Sequence, residues 1–143
     1  MKRKLFIVLI VCLAAFMLGV SCSNKKGYLG KWSFTEKSIS DLVDLYASMT
    51  GTELTSANKS YIEAIFKASY AEYETLLYID LAEDGTCVLS TDGEAYEANY
   101  TIDESTYVLT VEEDGISIPF GTFSSDYTKL SILSMDGFNL YKK

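Results

Sequence analysis

From residue 76 onward, short runs in which apolar and polar residues alternate succeed one another to the end of the chain. Leu77, Ile79 and Leu81 alternate with Tyr78 and Asp80, and Tyr96, Ala98, Tyr100 and Ile102 with Glu97, Asn99, Thr101 and Asp103. A period of two sends the two sets to opposite faces of a strand. Thr86 to Thr91 reads as a return strand. Tyr107, Leu109 and Val111 give a further inner face, Ile116, Ile118 and Phe120 the next, followed by Leu130 with Ile132 and Phe138 with Leu140. Pro119 and Gly121 fall on the opposite face and suggest an edge or a bulge there. Asp-Gly pairs at 84–85, 92–93, 114–115 and 136–137 punctuate these runs. Asp-Gly suits the tight turns of hairpins, so the strands are expected to pair in sequence and antiparallel.

The pattern before residue 76 is different. Tyr28 to Glu36 reads as a strand with Trp32 and Phe34 facing inward. A helical period then takes over, with Ser38 and Asp41 spaced as a capping box and Ile39, Leu42, Val43, Tyr46 and Met49 on one face up to Gly51. Ser56 is the expected cap of a second helix whose Ile62, Ile65, Phe66, Ser69 and Tyr73 share a face. The expected fold is mainly β: an eight-stranded antiparallel up-and-down barrel with two α-helices, over 38–74, inserted between strands 1 and 2. Eight strands is about the number at which a meander closes and abolishes its edges. Both helices carry an apolar face that must be buried. The nearest apolar surface is a barrel mouth, which makes the pair an expected lid.

At the N-terminus, Lys2, Arg3 and Lys4 precede 14 consecutive apolar residues, Leu5 to Leu18. This is the layout of a secretory signal, and the run is short of the roughly 20 residues a spanning helix needs. Gly19-Val20-Ser21-Cys22 resembles the lipobox of bacterial lipoproteins, in which the cysteine is acylated and becomes the new N-terminus. The resemblance implies a signal peptide over 1–21, an acylated Cys22 with a polar tether over 22–27, and a domain over 28–143. It also implies a protein held at the cell envelope by its acyl chains, on the outer membrane or the extracytoplasmic face of the cell membrane.

Composition narrows the chemistry. The 143 residues are 48% apolar with one proline, which suits a single folded domain. There is no histidine, and the one arginine is Arg3. Imidazole-dependent catalysis and His-ligated zinc are thereby closed, and the chain is expected not to be an enzyme. Removing residues 1–21 takes Lys2, Arg3 and Lys4 from the 12 basic residues and none of the 20 acidic ones, leaving a net charge of −11. Such a surface repels nucleic acid phosphate. Cys12 lies in the signal and Cys22 is the acyl site, so Cys87 has no partner for an intramolecular disulfide. Its apolar setting reads as core. The acidic clusters at 83–84, 103–104 and 112–114 fall at turns and lack the ligand spacing of a calcium loop, so no metal or cofactor is expected.

Gly30-Lys31-Trp32 in the first strand resembles the Gly-x-Trp signature of the calycins, the lipocalins and their relatives. Glu83-Asp84-Gly85-Thr86 within a run of Asp-Gly hairpins is similar to the lipocalin-like domains of small bacterial lipoproteins. The resemblance covers Tyr28 to Lys142. Two helices after the Gly-x-Trp strand also look like the lid of intracellular fatty-acid-binding proteins. The arginine that clamps a carboxylate in that family has no counterpart near Asn139-Leu140-Tyr141. Two roles follow. In one, Trp32, Phe34, Ile79, Tyr96, Tyr100, Tyr107 and Phe120 line a pocket for a small apolar ligand. In the other, the same residues fill a solid barrel, and an outer face meets an envelope protein partner.

Overall fold

The computed structural model describes residues 26–143; the expected signal segment 1–21 and Cys22 lie outside the described residues. The elements in order are β1 (Gly30–Ser33), α1 (Glu36–Thr50), α2 (Ser56–Tyr70), a one-turn α3 (Tyr73–Leu76), β2 (Tyr78–Leu81), β3 (Thr86–Ser90), β4 (Ala95–Asp103), β5 (Val108–Glu113), β6 (Ile116–Phe123), β7 (Leu130–Ile132) and β8 (Asn139–Lys142). Each strand pairs antiparallel with the next, and β8 returns to pair with β1. The protein is a closed eight-stranded antiparallel barrel with its helices inserted between the first and second strands, as the alternating pattern implied.

The register explains the core. Trp32 lies opposite Ile79, Ile79 opposite Leu89, and Leu89 opposite Tyr96, so these four share the inner face. Trp32, Ile79, Leu109, Leu130 and Leu140 are wholly buried. Barrels of this strand number are just wide enough for side chains to fill.

Strand β1 is shorter than the sequence suggested, because α1 begins at Glu36. Thr35 is the N-cap in extended conformation, and Ser38 sits at the third helical position. Its hydroxyl accepts the Thr35 N–H at 2.9 Å. The expected Ser38–Asp41 capping box does not form, since capping is done one turn earlier. Asp41 is turned instead toward the barrel, where its Oδ2 accepts from Asn139 Nδ2 at 2.7 Å and from the Tyr141 hydroxyl. The second cap also moves back, from Ser56 to Thr55, whose N–H donates to Asn58 Oδ1 at 2.7 Å. Residues 73–76 form a short third helix where a two-helix insertion over 38–74 was expected.

The two ends of the barrel differ. At one end lie the entering chain, the turns at 82–85 and 104–107, the 124–129 loop and the C-terminus. Rings of Tyr28, Tyr127 and Phe123 close it, with Tyr28 and Tyr127 centroids 5.6 Å apart and Trp32 and Phe123 at 5.0 Å. At the other end lie the helices, the Asp92-Gly93 and Asp114-Gly115 turns and the 133–138 loop. Helix α1 buries Ile39, Leu42, Val43 and Ala47. Its Leu42 and Leu45 press against Gly137, where an added Cβ would lie 2.3 Å from Leu45 Cδ2. Helix α2 buries none of its residues and rides on α1, tied by Lys67 Nζ to Glu36 at 3.1 Å.

The Pro119 region carries the irregularity the sequence suggested. The β5–β6 register slips between Leu109 and Thr110, so Gly121 faces Leu109 and Pro119 faces Thr110. The slip moves Gly121 from the outer face, where strict alternation placed it, to the inner one. A Cβ there would sit 2.7 Å from the Ser131 carbonyl oxygen and 2.8 Å from Leu130 Cδ1, so only glycine fits.

Trp32 sets the first test. Its indole N–H donates to the Tyr28 carbonyl at 2.7 Å and its ring has no exposure. Its fluorescence should be blue-shifted and resist aqueous quenchers. Trp32→Ala should lower unfolding free energy by about 3–5 kcal/mol, read by urea titration; a loss under about 1 kcal/mol would contradict the inward register of β1.

Candidate functional site

A cavity of about 400 Å3 opens at the helical end of the barrel. Small-molecule sites run from about 300 to 1,000 Å3. Its apolar wall is Leu89 of β3, Tyr96 of β4, Val111 of β5 and Ile116, Ile118 and Phe120 of β6. Thr91, Glu113, Asp114 and Ser134 complete the lining.

Strand register places these side chains. Ile118 is opposite Val111, and Ile116 opposite Glu113. Both isoleucines therefore face inward, yet they are 61% and 64% exposed because β6 extends past the packed interior to the rim. Asp114 and Gly115 both have positive φ, 51° and 79°, the backbone of a tight hairpin turn. That turn returns the chain at once and sets Asp114 on the lip. Phe120 enters the wall as the extra residue of the β5–β6 slip. The Tyr96 phenol is held above its ordinary pKa, first by burial and then by the Glu113 charge.

Of the seven residues expected to line a pocket, the cavity brings together Tyr96 and Phe120. Trp32, Phe34 and Ile79 are buried in the solid core. Tyr100 is also buried, its hydroxyl donating to the Ala82 carbonyl at 2.6 Å. Tyr107 packs on Tyr127 at the closed end, with centroids 5.7 Å apart. The expected lid leaves the cavity open: no residue of α1, α2 or α3 lines it. Sequence reasoning put Ile116 and Ile118 on an inner face without assigning them to the site, placed Leu89 within the return strand over 86–91, and read Glu113 as a turn charge. The available signal was position: an inward residue within two or three places of an Asp-Gly turn lies at a barrel rim, where little packs over it.

Elsewhere the side chains support structure. Asp84, Asp103 and Asp126 each accept hydrogen bonds from nearby Ser or Thr hydroxyls and backbone N–H groups within their own turns, which lower their pKa values. No group of three His, Cys, Asp or Glu side chains among the described residues is arranged to hold a metal ion. No described helix is long and apolar enough to cross a membrane. Cys87 is buried, and burial pushes its thiol up to about 11. No family model, curated protein or solved structure matches this chain.

Three buried or half-buried acids give a pH test. Tyr100 is pushed up to about 12 by burial, and Tyr141 is raised by burial and by its bond to Asp41. With Cys87, all three hold their protons more tightly folded than unfolded. Their contribution is complete at neutral pH and is lost as pH rises from about 9 through the folded values. The urea midpoint should therefore fall steadily between pH 9 and about pH 12. Cys87 should react with a disulfide reagent only on unfolding. A flat midpoint over that range would place these groups in water.

Proposed function

We propose that this chain is an envelope lipoprotein, tethered through acyl chains on Cys22, whose lipocalin-like barrel binds a small apolar ligand at its open mouth. The observation that carries the binding role is the cavity at the helical end, with six apolar or aromatic residues on its wall and two isoleucines held exposed at its rim. Exposed apolar side chains gathered in a concavity mark binding surfaces. The anchoring role is supported by the order of charged, apolar and small residues ending at Cys22. The lipocalin-like reading is supported by Gly30, at φ 106° where glycine is favoured, two residues before the fully buried Trp32. A binding role also fits a chain with no histidine and no arginine beyond Arg3.

The geometry gives the proposal a direction. The described chain begins at Lys26, at the closed end of the barrel, where Gly27 packs on Tyr127. Lys26 is four residue steps from Cys22, a reach of about 14 Å at most. An acyl anchor at Cys22 would hold the closed end toward the membrane and aim the mouth away from it.

A second reading, docking of an envelope protein, is favoured by Tyr61 and Ile65, one turn apart on α2 and 70% and 49% exposed. One experiment addresses both. A chain beginning at Ser23 should enhance the emission of the neutral dye Nile red, and Ile118→Asp should weaken that binding about tenfold. Tyr61→Ser with Ile65→Ser should leave it unchanged. In cells, Cys22→Ser should move the protein out of the acylated membrane fraction. No dye binding would remove the ligand role, and an unacylated wild-type protein would remove the anchor.

A further inference from the structure

We propose that the ligand of the mouth is an amphiphilic cation: an apolar body with a protonated amine or quaternary ammonium at one end. The inference rests on the binding role above and names the chemistry of its ligand. Glu113 carries it. Glu113 lies opposite Ile116, and two residues along β5 Val111 lies opposite Ile118, so Glu113 shares the inner face with the cavity wall. A carboxylate at an inward position of an apolar rim has no packing purpose. Asp114 follows it on the lip, and both line the cavity.

No lysine lines the cavity, and neither Glu113 nor Asp114 has an ion-pair partner among the described residues. Three of the described lysines are engaged elsewhere: Lys26 pairs with Glu104, Lys67 with Glu36, and Lys142 donates to the Gly27 carbonyl at the closed end. A fatty acid carboxylate at this mouth would face two like charges. A cation there would meet both, with its apolar body on Leu89, Val111 and Phe120. The Tyr96 hydroxyl, which feels the Glu113 charge, offers an acceptor beside it. Complementary charge of this kind suppresses the wrong ligand as much as it attracts the right one.

The test uses a chain beginning at Ser23, because residues 26–143 contain all eight strands and the closing β1–β8 pair. Dodecyltrimethylammonium, dodecyl sulfate, dodecanol and tetramethylammonium are compared by calorimetry below their micelle concentrations. The dodecyl cation should bind about tenfold or more tighter than the dodecyl anion, with the alcohol between them. Tetramethylammonium should bind far more weakly. Glu113→Gln, isosteric and exposed, should abolish most of the cation preference, read as the ratio of cation to dodecanol affinity within the same variant. Glu83→Gln with Asp103→Asn, at the other end of the barrel, should not change it. Equal or anion-favouring binding overturns the inference and leaves the ligand role standing. So does a preference that survives Glu113→Gln but falls with the remote pair, which would reflect net charge alone. Tetramethylammonium binding as tight as the dodecyl cation overturns it too. If none of the dodecyl compounds binds, the ligand role fails with it.

Discussion

Burial of Trp32 is the constraint on which the rest of the barrel depends. Strand β1 has only four residues, yet it must pair with β2 on one side and β8 on the other to close the sheet. Few backbone hydrogen bonds are available to so short a strand. The indole supplies what they cannot: it packs edge-on against Phe123 across the barrel and donates to the Tyr28 carbonyl behind it. The Lys142 ammonium lies over its ring at 5.7 Å, so the last strand is drawn to the same side chain. Closure joins residues near the two termini. Holding them around one buried indole converts a meander with two edges into a barrel with none.

The asymmetry between the ends follows from strand length. At the closed end the rings of Tyr28, Phe123 and Tyr127 meet over the interior. At the other end β6 has eight residues and β7 has three, so Ile116 and Ile118 rise past the level at which β7 and the 133–138 loop can cover them. The helices cover a different sector. Asp41 fixes α1 to β8 through Asn139 and Tyr141, and Phe34, Tyr70 and Phe138 pack beneath the insertion with centroids 5.5–6.3 Å apart. The insertion seals the side of the mouth beside β8 and leaves the β3–β6 side open.

The strands and their inner faces were legible because alternation is a local signal, repeated in each hairpin and punctuated by Asp-Gly. The helix caps were misplaced, by three residues in α1 and by one in α2. The first helix is capped at Thr35, whose N–H is taken by the Ser38 hydroxyl, and from that start Asp41 reaches Asn139 on β8, 98 residues away in sequence. Gly121 was assigned to the wrong face because a bulge reverses alternation beyond it, and the slip shows only against β5. The cavity was the least legible feature. Inward residues deep in the barrel and inward residues at its rim have the same pattern, so Trp32 and Ile79 read as pocket residues beside Tyr96. How far each strand overshoots its neighbours separates them, and overshoot depends on register.

Glu113 extends the same argument to chemistry. On an outer face, a glutamate before an Asp-Gly turn is a solvated charge of no consequence. Register alone places this one inside the rim, facing the same space as Val111 and Ile118. Turn and wall are built by the same residues: the Asp114-Gly115 hairpin that lets β6 return also fixes two carboxylates beside the most exposed isoleucines of the barrel. The open sector therefore joins an apolar floor to an anionic lip, and no lysine among the described residues lines it. Within the β5–β6 hairpin, backbone geometry, apolar exposure and charge are one feature. A change in the length of that turn would shift the register and remove all three together.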